Sequence, residues 1–425
     1  MIIIFLICLC LIFIIVLYKD NGSFKKKIST AKLIASNQGL GGMLKQAAIN
    51  VSSKAVGKVK RVIAHFRRTS NDKSLSIAFL PSGGFGDYII SAKVLEEIID
   101  KIITDGNSKG AAIERITVFS DKEAFARSIY SSYPNVEFKP DSKYYSENVS
   151  YDLAVKVEHL VYVNHVDFPR LDQLSPSLSA SIRYITDHWN EFDLDIADQC
   201  FRERIWFERC RVEKLDRWTE LRMDKAFQIA DKKITLPIDE KFRANAEELV
   251  PQKYITINYG ADQMRKGAKQ LKVWLPEHYK EFIKLFHQAY PGIKVVQLGS
   301  ADGEKLEGAD RYVLGENLET VKWILKGSLV HVDSEGGLVH LAHQLDTRCV
   351  VMFGPTPVHM YGYEENINIV PSTCNNCMGT HMDWAYKCLR ERDARGEREY
   401  PLCMRSIAPD QVLKAVKEVI SQQKK

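Results

Sequence analysis

Two glycine-rich segments, each placed between an apolar run and an amphipathic run, constrain the fold of this 425-residue chain most strongly. The first covers residues 77–90 (IAFLPSGGFGDYII) and the second covers residues 329–342 (LVHVDSEGGLVHLA). A strand, a glycine turn and a helix in this order direct helix N-terminal N–H groups, and the positive end of the helix dipole, toward an anion. Two such segments predict an α/β chain in which two Rossmann-like halves face a shared cleft.

Short apolar runs alternate with helical patterns on either side of these segments, which is typical of parallel sheets covered by helices. Strands are predicted at 76–80, 116–120, 152–155, 254–258, 293–298, 329–332 and 349–353. Helices are predicted at 89–103, 122–132, 276–288, 318–326, 337–344 and 412–422, and residues 161–225 are expected to be mostly helical. A proline-containing, charged stretch at 234–251 is interpreted as a linker, so we expect one domain over 72–240 and another over 252–425.

The first 18 residues contain no charged side chain. A helix of that length covers roughly 27 Å, enough to span the hydrocarbon core of a bilayer. A cleaved signal peptide is the alternative, but a basic n-region and an Ala-x-Ala-like site are both missing. The sequence therefore predicts a retained transmembrane anchor at 1–18.

Residues 19–71 form a basic juxtamembrane segment, because Lys19 to Arg68 contain twelve Lys or Arg and a single acidic residue, Asp20. Such a flank stays on the cytoplasmic side and is attracted to anionic lipids. Apolar residues at helical spacing within 51–66 indicate a basic amphipathic helix on the inner leaflet, with a solvated linker as the alternative. We therefore expect a single-pass protein of the inner (cytoplasmic) membrane whose remaining chain lies in the cytoplasm.

Four of the nine cysteines cluster near the C-terminus, at Cys374, Cys377, Cys388 and Cys403. In a reducing compartment such a cluster indicates a metal more often than disulfides. The polar loop 374–403 has little with which to build a core, so a structural zinc or iron on four thiolates is predicted. Four free thiols are the alternative.

Five motifs occur in an order that resembles glycosyltransferase family 9, the ADP-heptose-type heptosyltransferases. They are Gly86-Asp87, the Lys272–Pro276 segment (KVWLP), the Gly-rich turn at 298–304, the Asp333…His340 loop and Gly354-Pro355-Thr356. Together they cover about residues 74 to 420, and the resemblance implies an inverting enzyme of GT-B fold. The chain departs from the family pattern in three ways: it lacks an Arg upstream of Gly86, Leu275 is inserted before Pro276, and the Asp333…His340 loop is longer. With the cysteine cluster, the longer loop is more similar to the branch that glycosylates autotransporter proteins.

The resemblance implies that Asp87 is the general base that takes a proton from the acceptor hydroxyl, on a turn formed with Gly84 and Gly86. The alternative for Asp87 is a helix-capping residue, because aspartate is favoured at helix N-termini. The first domain would then bind the acceptor, a lipopolysaccharide-type glycolipid or a protein.

In the second domain, the resemblance implies a set of residues that bind the nucleotide-diphosphate donor, with ADP-heptose as the expected donor. Cationic groups and N–H dipoles would stabilise the departing diphosphate without a catalytic metal. For Lys272 an exposed surface position, for His340 a buried helix position and for Glu304 a solvated loop position are the alternatives. The predicted donor-binding residues are Lys272, Glu304, Asp333, Ser334, Gly336, Gly337, His340 and Thr356.

Two other classes of protein fit the sequence less well. A zinc-ribbon nucleic-acid-binding protein is disfavoured because the basic stretch adjoins the anchor, far in sequence from the cysteines. A Rossmann-type dehydrogenase is disfavoured because the turn Gly84-x-Gly86-x-x-Ile89 lacks the third glycine of the dinucleotide motif. We therefore expect no nucleic-acid partner.

Overall fold

The computed structural model describes residues 73–110, 112–192, 199–260, 271–381, 384–385, 387–388, 390 and 400–422, all within one compact unit. The predicted anchor at 1–18 and the basic segment at 19–71 lie outside the described residues. Within the described part of the chain, no helix is both long and apolar enough to cross a membrane.

The first half is built on a five-stranded sheet with the order β3-β2-β1-β4-β5. Its central strand is buried on both faces, which explains the nearly continuous apolar sequence of that segment. Four strands run parallel, and β5 pairs antiparallel with β4 at the edge. The strands are β1 (Ser74–Pro81), β2 (Ala112–Phe119), β3 (Val136–Lys139), β4 (Leu153–Val157) and β5 (Val161–Val166).

A 25-residue helix, α1 (Phe85–Lys109), follows β1 directly and packs buried isoleucines against the sheet. It ends at Gly110, which takes the left-handed conformation (φ 70°) that favours glycine after a helix. The other helices of this half are α2 (Glu123–Tyr130), α3 (Tyr144–Glu147), α4 (Phe168–Leu174), α5 (Pro176–Asp187), α6 (Trp189–Phe192) and α7 (Gln199–Glu213).

The second half is built on a six-stranded sheet with the order β11-β10-β9-β6-β7-β8, in which every recorded pair is parallel. Its strands are β6 (Tyr254–Asn258), β7 (Lys294–Gly299), β8 (Arg311–Leu314), β9 (His331–Ser334), β10 (Cys349–Met352) and β11 (Ile367–Ile369). Its helices are α8 (Arg243–Leu249), α9 (Pro276–Ala289), α10 (Leu318–Gly327), α11 (Gly337–Gln344), α12 (Val358–Tyr361), α13 (Leu402–Arg405) and α14 (Pro409–Gln422).

The prediction of an α/β chain with two Rossmann-like parallel sheets is confirmed. Four strands were missed, β3, β5, β8 and β11, and all four are edge strands of their sheets. The expectation of mostly helix over 161–225 was wrong at its start, where residues 161–166 form the antiparallel edge strand β5. The domain boundaries stay a prediction, since the described residues pack as a single unit.

The two halves contact each other directly at the helices that follow the two glycine-rich turns. A Cβ atom on Gly337 would lie only 2.9 Å from Cβ of Phe85, and one on Gly86 would lie 2.3 Å from Cδ2 of His340. A second contact uses Lys322 of α10, whose buried Nζ donates to the carbonyl oxygens of Ser128 and Pro237, both at 2.6 Å. The N-termini of α1 and α11 are therefore brought together across the interface.

Candidate active site

The turn between β1 and α1 is shaped around the side chain of Asp87. Gly83 has φ +100°, and a Cβ atom there would lie 2.4 Å from Oδ2 of Asp87, so only glycine fits without strain. The backbone N–H of Gly84 donates to Oδ2 of Asp87 at 2.8 Å. Asp87 thus caps the first turn of α1, and its side chain remains 28% exposed. The capping geometry and an accessible carboxylate occur together.

Arg217, in the loop after α7, holds the other oxygen of this carboxylate. Its Nη2 and Nε atoms donate to Oδ1 of Asp87 at 2.9 and 3.2 Å. Burial alone would raise the pKa of Asp87, but the charges of Arg217 and His159, with the Gly84 N–H, lower it below its usual value. Asp87 is therefore ionised at neutral pH, which is the form a general base requires.

The turn between β9 and α11 carries the predicted donor-binding residues of the second half. Strand β9 ends at Ser334, Gly336 is the N-cap of α11, and Gly337 is the first helical residue. Strands β9 and β10 pair with Ser334 opposite Met352, so Ser334 and the Gly354-Pro355-Thr356 turn follow adjacent strands at the same edge of the sheet. The hydroxyls of Ser334 and Thr356 are buried and have no hydrogen-bond partner among the described residues. Buried hydroxyls of this kind are ready to bind an oxyanion.

Lys272 lies beside this turn, where its Nζ is 3.2 Å from Oε2 of the buried Glu335. Burial lowers the pKa of Lys272, but the charges of Glu335, Asp87 and Asp333 outweigh burial and raise the pKa above its usual value. The side chain is 22% exposed and fully charged at neutral pH. The structure therefore places this cation, from the second half, within electrostatic reach of Asp87 from the first.

Asp333 lies at the end of β9, where it is 2% exposed. Asn258 donates to both of its oxygens, at 3.2 and 3.1 Å, and Nε2 of His331 lies 3.4 Å from Oδ2. Burial raises the pKa of Asp333 despite these partners. Asp333 is therefore held at the end of the strand by Asn258 and His331.

His340, in the first turns of α11, is buried and lies close to Gly86 of the first half. Its Nδ1 is 2.6 Å from the hydroxyl of Tyr363, and Trp218 donates to the same hydroxyl at 3.0 Å. Since Trp218 can only donate, the Tyr363 O–H is free to donate to Nδ1, which leaves Nε2 of His340 as the N–H nitrogen. Burial lowers the pKa of His340 to about 4, so the ring is neutral at neutral pH. A neutral ring can donate a hydrogen bond but adds no charge to a phosphate site.

Glu304 lies apart from this cluster in the turn after β7, where it is exposed. Gln297 donates to its backbone carbonyl at 2.7 Å, which fixes the turn rather than the carboxylate. The structure thus brings Asp87, Lys272, the β9–α11 turn and Thr356 into one region and leaves Glu304 at its periphery.

The model of glycosyltransferase family 9 (heptosyltransferase) matches residues 208–389, which include Arg217, Lys272, the β9–α11 turn and the Gly354-Pro355-Thr356 turn. This match covers less than half of the chain, and most of it lies in the second half. It shows that this part of the chain is similar to glycosyltransferase family 9.

Among curated proteins, the chain is similar to lipopolysaccharide heptosyltransferase 1 of Campylobacter coli, with 23% identity over 225 residues. That alignment covers 47% of this chain and 58% of the relative, so the chain spans somewhat more than half the length of the curated relative it matches.

Among solved structures, the chain is similar to E. coli ADP-heptose lipopolysaccharide heptosyltransferase II (17% identity, 83% of this chain and 100% of that chain, TM-score 0.49). It is also similar to the iron-containing dodecameric glycosyltransferase TibC of enterotoxigenic E. coli (13% identity, 83% of this chain and 80% of that chain, TM-score 0.48).

The cysteine loop packs against the Gly354-Pro355-Thr356 turn. The N–H of Asn376 donates to the carbonyl of Gly354 at 2.9 Å, and a Cβ atom on Gly354 would lie 3.1 Å from Sγ of Cys403. Arg204 of α7 donates to the carbonyl of Asn376 at 2.9 Å from the other half. The cysteine loop therefore supports the Gly354-Pro355-Thr356 turn of the candidate site.

The four cysteine thiols affect one another electrostatically. Burial, together with the neighbouring thiols, raises the pKa of Cys377 to about 11 and that of Cys403 to about 12. Within the part of the chain that the structure describes, no group of three or more His, Cys, Asp or Glu side chains is arranged to hold a metal ion as it stands. The chemistry of four neighbouring thiols nevertheless suits zinc or iron.

Sequence reasoning missed Arg217, Glu335 and the residues that hold His340 in place. Glu335 was visible only as part of a lengthened loop, and its role as the partner of Lys272 depends on the tertiary structure. Arg217 is 130 residues from Asp87 in sequence and lies in a loop without periodicity, so no local signal connects the two. The polar and aromatic run Asp216–Glu220 (DRWTE) was the one visible hint in this segment.

Proposed function

We propose that this chain is an inverting glycosyltransferase that moves a heptose from ADP-heptose to a hydroxyl of a lipopolysaccharide-type glycolipid or a protein. One observation carries the proposal: an ionised carboxylate, Asp87, and a charged lysine, Lys272, come from opposite halves to the place where two glycine-turn helices meet. The family 9 match supports the reaction type. The name of the Campylobacter coli relative supports heptose as the sugar and lipopolysaccharide as the acceptor.

Asp87 performs the acceptor half of the reaction. Oδ1 accepts two hydrogen bonds from Arg217, whereas Oδ2 accepts one from the Gly84 N–H and keeps a further lone pair for the acceptor hydroxyl. The carboxylate takes the proton of the acceptor hydroxyl as that oxygen forms the bond to the anomeric carbon. The bond from that carbon to the diphosphate breaks on the opposite face, which inverts the configuration.

The second half receives the leaving nucleotide diphosphate. Lys272 supplies a full positive charge, and the N-terminus of α11 supplies N–H groups and the positive end of a dipole. The buried hydroxyls of Ser334 and Thr356 supply two further donors at the same sheet edge. These groups would balance the negative charge of the leaving diphosphate. The proposed reaction therefore needs no catalytic metal.

We further propose that Cys374, Cys377, Cys388 and Cys403 hold one structural zinc or iron ion. The support is a set of four thiols in a loop with few apolar residues of its own, close enough together that the neighbouring thiols raise the pKa of Cys377 and of Cys403. Metal binding would deprotonate the thiols and couple loop folding to the ion. Since this loop packs on the turn that ends in Thr356, the metal would stabilise the donor side of the site from outside.

The metal proposal predicts that Cys377→Ser lowers the metal content from close to one ion per chain to near zero and lowers the melting temperature. Elemental analysis of protein purified without chelators measures the first, and thermal unfolding measures the second. Cys349→Ala is the matched control, because Cys349 is a buried cysteine of β10 outside the cluster and should leave the metal in place. Wild-type protein without bound metal would overturn the proposal.

The acceptor we propose is reached at the inner face of the cytoplasmic membrane. The uncharged residues 1–18 and the basic residues 19–71 are the support for attachment there. Recovery of the full-length chain in the soluble fraction at moderate salt would count against this placement.

The transfer proposal is tested by incubating the purified chain with ADP-heptose and a heptose-deficient lipopolysaccharide core, with product analysis by mass spectrometry. We expect release of ADP and a mass increase of one heptose on the acceptor. UDP-glucose is the control donor and should give little product. Equal transfer from both donors, or from neither, would contradict the proposed donor.

A further inference from the structure

We infer that Arg217 is a positioning residue for the general base: it holds the Asp87 carboxylate in one orientation and sets the pH at which that carboxylate is ionised. This inference rests on the proposed function, because it assigns Arg217 a role in the reaction that Asp87 performs. It differs from a purely structural ion pair in one respect, namely that it predicts a change in the pH dependence of turnover.

Arg217 is held in place by burial and hydrogen bonds. Its guanidinium is completely buried and makes four hydrogen bonds, two to Oδ1 of Asp87 and one each to the Glu158 carbonyl and Oε1 of Glu220. Its backbone N–H donates to the carbonyl of Met360 at 2.9 Å, which attaches the loop to α12 of the other half. A planar guanidinium held in this way fixes the carboxylate oxygen that it contacts.

Glu220 balances the charge of Arg217 on the side away from Asp87. Its carboxylate is fully buried and accepts from Arg217 at 2.7 Å, from Nδ1 of His159 at 2.9 Å and from Nε1 of Trp206 at 2.7 Å. Because Glu220 has two further partners, His159 and Trp206, Arg217 is not drawn away from Asp87. Glu220, Arg217 and Asp87 thus form a row of negative, positive and negative charges. Asp87, the proposed base, is the member of this row that reaches solvent.

Several further groups sense the charge of Asp87 and must be considered in any pH argument. His159 lies on the Glu220 side, where burial lowers its pKa but the charge of Glu220 outweighs burial and raises the pKa above the usual value. Lys272 faces Asp87 from the second half and stays charged, while His340 stays neutral above about pH 4. The titratable groups on which the Asp87 charge acts are Arg217, His159, Lys272, His340, Tyr130 and Tyr361.

Removal of the guanidinium changes the ionisation of Asp87 in a predictable direction. Burial favours the protonated acid and Arg217 opposes burial, so without Arg217 the pKa of Asp87 rises. In Arg217→Gln the acid limb of the turnover profile should therefore move to higher pH by about 1–3 units, the usual effect of an adjacent arginine on an aspartate. Turnover above that limb should fall about 10–100-fold, because the carboxylate is no longer held in one orientation. The KM for the donor should change little.

Two comparison variants separate charge, orientation and general destabilisation. Arg217→Lys keeps the charge but not the paired N–H groups, so it should lose turnover with a smaller shift of the acid limb. Arg170→Gln removes a different largely buried arginine, which donates to the buried Asp152 at 2.9 Å in the same half. Arg170→Gln should lower stability and leave the acid limb of the turnover profile at its wild-type pH. If Arg217→Gln does not fold, an unchanged limb and unchanged turnover in Arg217→Lys contradict the inference.

A thermal measurement tests the coupling without any assay of transfer. With Arg217 present, the pKa of Asp87 is lower in the folded than in the unfolded state, so ionised Asp87 stabilises the fold above the unfolded pKa of about 3.9. That contribution is lost as the pH falls through the folded pKa. At pH 7, Asp87→Asn should lower the melting temperature of wild-type protein but raise that of Arg217→Gln, where the buried carboxylate has lost its partner.

The outcomes distinguish the inference from the proposed function. A wild-type chain that transfers no sugar refutes the proposed function, whatever the melting temperatures show. A wild-type chain that transfers sugar, combined with an acid limb that does not move in Arg217→Gln, refutes the positioning role alone. Melting-temperature changes of Asp87→Asn that are equal in the two backgrounds refute the electrostatic coupling between Arg217 and Asp87.

Discussion

At the scale of single residues, the candidate site combines groups whose charge is set by tertiary neighbours. Arg217 lowers the pKa of Asp87 despite burial, and Glu335, with Asp87 and Asp333, raises the pKa of Lys272 despite burial. The residue types at Asp87 and Lys272 were predictable from short motifs. Their partners were not, because Arg217 and Glu335 reach the site through the packing of segments distant in sequence.

Lys272→Ala should weaken binding of ADP-heptose about 10–100-fold, since a charged hydrogen bond to a phosphate contributes about 1.5–3 kcal/mol. Turnover should fall as well, because the same charge meets the diphosphate in the ground and transition states. Calorimetric titration with the donor measures the first effect, and steady-state kinetics measure the second.

Two controls accompany this variant. Lys284→Ala removes a lysine of α9 that is 62% exposed and should bind the donor like wild type. Glu335→Gln keeps the cation and removes its internal competitor, so it should not weaken donor binding. Unchanged donor affinity in Lys272→Ala would remove Lys272 from the donor site.

At the scale of elements, the two strand–turn–helix units were the most predictable part of the fold. Both units, β1 with α1 and β9 with α11, combine a buried strand with glycine at the turn that follows it. The edge strands β8 and β11 are only partly buried and have no such continuous buried run. The contact between the two glycine turns could not be predicted, because no local feature fixes how one helix N-terminus meets another.

Gly86→Ala tests the contact between the two glycine turns. Its new methyl group would lie 2.3 Å from Cδ2 of His340, so His340 or the whole of α11 must move. Overpacking of this kind costs about 1–3 kcal/mol of stability and would also shift the donor turn that follows β9. We expect a lower melting temperature together with lower turnover.

Gly292→Ala is the matched control, because a Cβ atom at Gly292 meets nothing within 4 Å. It should change neither the melting temperature nor the turnover. If Gly86→Ala behaves like Gly292→Ala in both measurements, the close approach of the two turns does not exist in solution.

At the scale of the whole molecule, the two halves contribute different groups to the candidate site. The first half holds the Asp87 carboxylate on a turn shaped by glycine, and the second half holds the Lys272 cation and the buried hydroxyls of Ser334 and Thr356. The segment 225–253 and the buried Lys322 join the halves, with Lys233 donating to the carbonyl of His343 and Lys322 to that of Ser128. The sequence predicted two sheets with glycine turns, whereas the tight packing of both halves into one unit emerged only from the structure.

The most direct test of this account is the turnover of Asp87→Asn measured beside its donor affinity. Asparagine keeps the shape of the side chain and can still accept from the Gly84 N–H, but it cannot take a proton. We expect ADP release in the presence of acceptor to fall by roughly 10²–10⁴, the usual contribution of a positioned base, with the Kd for ADP-heptose nearly unchanged. Asp121→Asn, which alters an exposed aspartate just after β2, should keep wild-type turnover. Near-wild-type turnover in Asp87→Asn would contradict the account and leave Asp87 as a helix cap paired with Arg217.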